Sequence, residues 1–348
     1  MKVALETSAL KSGHQHRGIG FYTRSLIEAL KLLGEEKISL ATFESGQIPA
    51  DCDLVHYPFF DFFFLSLPLV KRKPIVVTIH DCTPLVFPKH YPPGVKGKFK
   101  FLIQNNSLSG VKRVITDSEN SKKDIVKFLK YPSEKIDVVY LAPVNKVKKV
   151  EEKAELERIT RKYKLPKDFV LYVGDVNYNK NLPGLIKACR LTKIPLVIVG
   201  KQATQKKFER KNIENEPLLQ LIKLVENRKD VLRLGFVEEK ELASLYTLAS
   251  CYCQPSFYEG FGIQILEAMS CGCPVITSNL SSLPEVAGKA AILVDPYKVE
   301  EIAKAIRAVS VNKNLADKLR KAGSLQVEKF SWGETARKTI ASYKKALV

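Results

Sequence analysis

Short apolar runs alternate with stretches of helical period along most of the 348-residue chain. The first runs fall at 2–6, 38–42, 54–57, 75–79, 114–116 and 136–139. Between several of them, at 22–33 and 122–129, apolar positions recur every three to four residues. A short buried strand followed by an amphipathic helix, repeated, predicts a parallel sheet with crossover helices. The rhythm breaks over 144–164, which is rich in Lys and Glu and lacks a strand pattern. It resumes with strand runs at 169–173, 195–199, 231–234, 251–254, 274–277 and 291–294. Helical patterns separate these at 182–190, 217–227, 239–248, 263–270 and 299–310.

The expectation is an α/β chain of two doubly wound, Rossmann-like domains, 1–145 and 166–331, joined by a linker at 146–165. A last helical pattern, 332–346, closes either on the second sheet or, crossing back, on the first; the sequence leaves both open. Open parallel sheets bind ligands at the carboxyl ends of their strands. Two such domains therefore predict a site in the cleft between them.

Composition narrows the class. The length suits two cores, and 45% apolar content is that of a globular protein. No run of about 18 apolar residues predicts a membrane-spanning helix, and MKVALETSAL lacks the apolar core of a signal peptide. Seven cysteines, an odd number, do not read as a secreted disulfide framework, so a cytoplasmic setting is expected. Cys251, Cys253, Cys271 and Cys273 form two C-x-C pairs, yet they sit in or beside apolar strands and read better as small buried hydrophobes than as metal ligands. The net charge of +19 is spread over both halves and favours anionic partners. No zinc-finger spacing, RNP-type motif or basic heptad region points to nucleic acid.

Four loops carry candidate chemistry. Gly18 and Gly20 precede a helix predicted from Phe21, where a ligand could approach the backbone; a plain tight turn fits equally. His80 ends the run at 75–79 and could donate to a sugar hydroxyl or a phosphate. Lys180 stands just before the helix at 182 and could meet a phosphate. In SFYEGFGIQILEAM, Gly260 and Gly262 open the backbone at a helix start, an anion site. Glu259 lies ahead of that start and Glu267 over one turn into the helix. Two carboxylates flanking a phosphate nest can each accept from vicinal hydroxyls, which describes a nucleotide sugar better than an acid/base couple.

The block PSFYEGFGIQILEAMSCGCPVITSN resembles the signature of glycosyltransferase family 4, retaining enzymes of the GT-B fold, in which two Glu are separated by seven residues. RGIGFYTRSL, TIHDCTPLVFP, LPEVAGKAAILVDP and FSWGETARKTIASYKKAL resemble the family in order and spacing, with the flavour of bacterial mannosyltransferases. The resemblance implies that Glu259 holds the transferred sugar and Glu267 the ribose. It places the amides of Gly260, Phe261, Gly262 and Ile263, with Lys180, on the diphosphate. Gly20 would approach the phosphate or the acceptor, His80 the donor sugar, and Phe236 and Val237 the base. The usual second cation is missing: Asn179 stands where many members, and Asp175 where some members, carry Arg, leaving Lys201 as a candidate substitute.

The resemblance also implies retention of configuration. Asp51–Asp53, the one Asp-x-Asp, precedes a predicted strand, the wrong end for a cleft, so no metal or other cofactor is expected. The expected partners are a nucleotide-sugar donor, GDP-mannose by family flavour, and a glycan or polyprenyl-linked acceptor. Five Phe between Pro58 and Pro74, with Lys71, Arg72 and Lys73 behind them and Lys96, Lys98 and Lys100 further on, fit an anionic membrane surface and a place on the inner face of the membrane. A Phe-rich core with solvated lysines fits the same residues. The competing readings are another GT-B enzyme, such as a nucleotide-sugar epimerase or a phosphorylase, and a basic nucleic-acid- or ligand-binding module on an inactive enzyme fold.

Overall fold

The computed structural model describes residues 1–11, 18–33, 38–44, 47–143 and 147–348. Most of the loop before Gly18, and residues 144–146 of the charged stretch, lie outside the described residues. The chain forms two compact units, residues 1–141 with 330–348, and 142–329.

The first unit runs β1 (Lys2–Glu6), α1 (Gly18–Leu32), β2 (Ser39–Phe43), β3 (Leu54–Tyr57), β4 (Ile75–Thr78), α2 (Thr83–Val86), α3 (Gly94–Ser107), β5 (Arg113–Thr116), α4 (Glu119–Leu129) and β6 (Ile136–Val138). Its sheet is parallel throughout, in the order β2-β1-β3-β4-β5-β6. Every residue of β3 and β4 is buried, as expected of strands covered on both faces. The winding reverses between β1 and β3, the switch point at which such sheets open a crevice.

The second unit runs α5 (Lys153–Tyr163), β7 (Val170–Val173), α6 (Leu182–Thr192), β8 (Leu196–Val199), α7 (Glu216–Val225), β9 (Val231–Gly235), α8 (Glu239–Leu248), β10 (Cys251–Gln254), α9 (Ile263–Ser270), β11 (Val275–Ser278), α10 (Leu283–Ala287), β12 (Ala291–Val294), α11 (Val299–Val311) and α12 (Lys313–Val327). Its parallel order is β12-β11-β10-β7-β8-β9, so the reversal falls between β7 and β10. Leu182, Leu185, Leu218, Leu221, Ile302 and Ile306 belong to one continuous core against this sheet.

All twelve strand runs read from the sequence are strands here. Helix α12 has no counterpart among the expected elements: Gly323 interrupts its pattern. That glycine is where α12 meets α9, and a Cβ there would stand 3.1 Å from Met269 Cγ. The last helix, α13 (Trp332–Leu347), returns to the first unit and packs on α1 and on β3 to β5.

Candidate functional site

The switch point of the second sheet sets the site. The loops after β7 and β10 leave neighbouring strands at the same edge, and hydrogen bonds tie them together. After β7 the chain makes a short 3-10 turn, Tyr178–Lys180, and enters α6 through Asn181 at φ +52°. The Asn179 amide donates to the Tyr258 carbonyl at 2.9 Å, and its carbonyl accepts from the Phe257 N–H at 2.7 Å. The Asn181 amide donates to the carbonyls of Pro255 (3.1 Å) and Pro296 (2.7 Å). Both asparagines are spent on holding the two loops together. Lys180, between them, reaches Glu259, with Nζ 2.6 Å from Oε2.

Glu259 is buried, and its carboxylate is held from three sides. Oε1 accepts from Gln254 Nε2 and Ser256 Oγ, both at 2.7 Å, while Oε2 takes Lys180. Gln254 is itself fixed by Tyr252, whose hydroxyl donates to Gln254 Oε1 at 2.8 Å. The Glu259 carbonyl accepts from Ser281 and Ser282 at 2.7 and 2.9 Å. A buried charge persists only when paired and hydrogen-bonded, and this one is both. A carboxylate offers about four acceptor positions. Three are filled, and the open one lies on Oε2 beside Lys180.

Helix α9 starts two residues beyond Phe261, with Gly262 at φ +95° as its N-cap and no capping side chain. A Cβ at Gly262 would come within 2.7 Å of Leu283. Glycine thus admits both the left-handed turn and the close contact, and leaves the helix start bare for an anion. Gly260 and Phe261 are buried in the same loop. Along the same edge, exposed Lys201 begins a 3-10 turn after β8, Phe236 is exposed after β9, and Val237 is buried. That turn is tied to the loop after β7 through Gln202, which accepts from the Val176 N–H at 2.7 Å.

Glu267 lies in α9, buried, and Tyr246 donates to its Oε2 at a long 3.3 Å. Burial pushes its carboxyl up to about 7; the Tyr246 bond opposes this and Glu239 adds to it. The two glutamates are therefore unlike. Glu259 is rich in donors and paired with a cation, whereas Glu267 is desolvated and short of donors.

In the first unit His80 follows β4, and Asp117 follows the neighbouring strand β5. His80 Nδ1 lies 2.7 Å from Asp117 Oδ2, and Nε2 lies 3.0 Å from the Pro58 carbonyl. Nε2 donates to the Pro58 carbonyl, and Nδ1 shares a proton with Asp117, whose carboxyl is raised by burial against the opposing pull of His80. Burial pulls the His80 pKa down, but the Asp117 charge and hydrogen bond outweigh that and the net direction is up. His56, buried nearby, is pushed down to about 3 by burial and by His80. The Tyr22 ring packs edge-on to His80 at 4.7 Å. Gly20 lies within the first turn of α1, which begins at Gly18 and not at Phe21, and is buried there.

Asp51 and Asp53 stand at the amino end of the first sheet. Asp53 Oδ2 accepts from the Lys2 N–H at 2.7 Å, and Asp51 pairs with the Lys2 ammonium. All seven cysteines are buried, and burial raises the thiols of Cys251 and Cys271 to about 12. Sequence reasoning missed Asp117, Gln254, Ser256, Tyr246 and the stapling role of Asn179. Ser256 and Gln254 stood within five residues of Glu259, the one available signal; Asp117 and Asn179 depend on strand adjacency, and Tyr246 on the packing of α8 against α9.

Comparison with known proteins gives the family and the fold. Residues 153–326 match the family model of glycosyl transferases group 1, and residues 15–142 that of glycosyltransferase family 4. The O-antigen chain mannosyltransferase B of Escherichia coli is 32% identical over 77% of this chain and 70% of its own length. The serotype-specific mannosyltransferase WbdA of Escherichia coli is 25% identical over 82% of this chain, which spans only 35% of that protein. The crystal structure of Anabaena Alr3699/HepE in complex with UDP and glucose superposes with a TM-score of 0.74, at 18% identity and 99% coverage of both chains. The chain belongs to the group 1, family 4 glycosyltransferases and is an enzyme of the GT-B fold.

Proposed function

We propose that the protein transfers mannose from a nucleotide diphosphate sugar, with retention of configuration and without a metal ion, to a glycan acceptor carried on a polyprenyl lipid. The observation that carries the reading is the Lys180–Glu259 pair, held by Gln254 and Ser256 beside the bare start of α9. Breaking the sugar–phosphate bond sends its electron pair to the diphosphate. Lys180 and the N–H groups of the helix start meet that charge, preorganised before the reaction. Glu259 accepts from one sugar hydroxyl at its open position and orients C1. Glu267 accepts from the ribose hydroxyls. The acceptor hydroxyl attacks on the face the diphosphate leaves, and a leaving phosphate oxygen takes its proton, so the step needs no protein base. The position of Asn179 carries no second cation, and exposed Lys201 is the candidate for that role.

Mannose is favoured by the two mannosyltransferase relatives. GDP is the base we favour, and HepE, solved with UDP and glucose, defines the rival donor. Thermal shifts against GDP, UDP and ADP sugars decide it, since a ligand at 100 times its dissociation constant stabilises by about 2.7 kcal/mol. Glu259→Ala should abolish turnover and largely spare nucleotide binding. Turnover surviving in that variant removes Glu259 from the mechanism; inversion at C1 in the product, or loss of activity in EDTA, overturns retention or metal independence. No helix among the described residues is long and apolar enough to cross a membrane. We place the enzyme in the cytoplasm, peripheral on the inner face of the membrane, where a polyprenyl-linked acceptor is presented.

A further inference from the structure

Helix α3 packs Phe101 on the core, against Phe62 and Phe63, and turns a second apolar stripe outward. Val95, Phe99 and Leu102, spaced four and three apart and so on one face, are 88%, 65% and 65% exposed. The buried positions of the helix are Gly97, Gln104 and Ser107. A solvated helix places its apolar stripe against the core, so this stripe is made for another surface. Beside it the loop after β3 splits its phenylalanines. Phe60 and Phe62 enter the core, while Phe64 is 65% exposed and lies under the Lys100 ammonium at 4.7 Å from its ring centre.

The surface is built and not frayed. Asp61 Oδ1 accepts from the N–H groups of Phe63 (2.7 Å) and Phe64 (2.9 Å), fixing the turn that sends Phe64 outward. The fully buried Gln104 of α3 donates to the Asp61 carbonyl (3.0 Å) and to Ser66 Oγ (2.7 Å), locking loop to helix. Charge identifies the occupant. Between Asp61 and Asp117 the sequence holds nine Lys/Arg and one acid, Asp81. Exposed Lys96 and Lys98 flank the stripe. An apolar face rimmed by cations matches the boundary between the acyl chains and headgroups of an anionic bilayer.

We propose that α3 and the 61–73 loop form one rigid docking surface for an anionic membrane, with Phe64, Phe99 and Leu102 inserted and Lys96, Lys98 and Lys100 at headgroup level. The proposal names the surface that would serve the lipid-linked acceptor, and it rests on that part of the proposed function. The test is flotation of the full chain with vesicles of phosphatidylglycerol or of phosphatidylcholine. We expect binding to the first, weak binding to the second, and release on raising salt. The triple variant Phe64→Ser, Phe99→Ser, Leu102→Ser changes only exposed side chains and should keep its melting temperature. It should lose binding by about a thousandfold, taking roughly tenfold for each of the three apolar side chains removed. Lys96→Glu with Lys98→Glu should abolish the preference for the anionic lipid. Turnover of a water-soluble acceptor should be unchanged in both variants, which separates failure of docking from failure of the transferase assignment. Equal flotation of parent and triple variant overturns the proposal, as does equal binding to both lipids. So does a parent that is dimeric in solution and becomes monomeric in the triple variant, because a second copy would then cover the patch.

Discussion

Glu267 shows what burial does to a carboxyl that has one long hydrogen bond. Its carboxyl is raised by burial from 4.5 to about 7. The folded protein therefore holds this proton more tightly than the unfolded chain does. The associated stability is fully present below pH 4.5 and is lost as pH rises to 7, a difference of about 3 kcal/mol. Glu267→Gln should accordingly raise the melting temperature at pH 8 and change it little at pH 4. The same variant should lose nucleotide affinity, because an amide accepts at only one of its two ends; calorimetry on both readouts checks this. If the substituted protein is no more stable at pH 8 than the parent, the parent carboxylate is already solvated. Gln254 is the opposite case. It holds Glu259 through one hydrogen bond, so on the proposed reading Gln254→Leu should lower kcat by roughly ten- to a hundredfold, the range for a lost hydrogen bond to a charged group. Nucleotide affinity should stay within a factor of a few. Glu259, Glu267 and Lys180 were named as candidates from their place along the chain, and the structure brings Lys180 to Glu259. Asp117 was not, because its partner is set by strand adjacency, nor was Tyr246, whose partner is set by the packing of α8 on α9; Gln254 stood close in the chain but its side-chain direction was not legible.

At the scale of elements, short apolar runs alternating with helical patterns sufficed for the twelve strands, from the fully buried β3 and β4 to the part-exposed edge strands β2, β9 and β12. Helix ends and helix–helix contacts were less legible, and glycine is the reason in both cases. Gly323 weakens the pattern of α12 while allowing its approach to α9. Gly262 permits the left-handed entry into α9 and the contact with Leu283. Gly262→Ala should destabilise the protein by about 1–3 kcal/mol, the range for a side chain forced into that backbone region. It should also weaken nucleoside diphosphate binding by more than it weakens binding of the nucleoside alone, because the helix start moves. Equal losses for both ligands, measured by titration, would assign the effect to stability only.

Across the whole molecule, the chain leaves its first unit at Leu141 and comes back at Phe330. The sequence left the placement of the last helix open, because an amphipathic stripe does not say which sheet it covers. A buried polar chain answers it. The Tyr343 hydroxyl lies 2.7 Å from His56 Nδ1, His56 Nε2 lies 2.9 Å from Thr78 Oγ1, and Thr78 lies 3.0 Å from the Tyr22 hydroxyl. These residues come from α13, β3, β4 and α1, and all four are fully or almost fully buried. A neutral His56 needs a partner at each ring nitrogen, since a buried polar atom without one costs about 1–3 kcal/mol. Tyr343→Phe keeps the ring and removes that partner. It should destabilise the first unit by that amount and leave the melting of the second unchanged. Deletion of 332–348 should go further: it uncovers the face of β3 to β5 and should leave the first unit open to proteolysis. Limited proteolysis of the two variants, read by mass spectrometry, separates these outcomes. Cleavage of the deletion variant spread evenly over both units would mean that α13 does not stabilise the first sheet selectively.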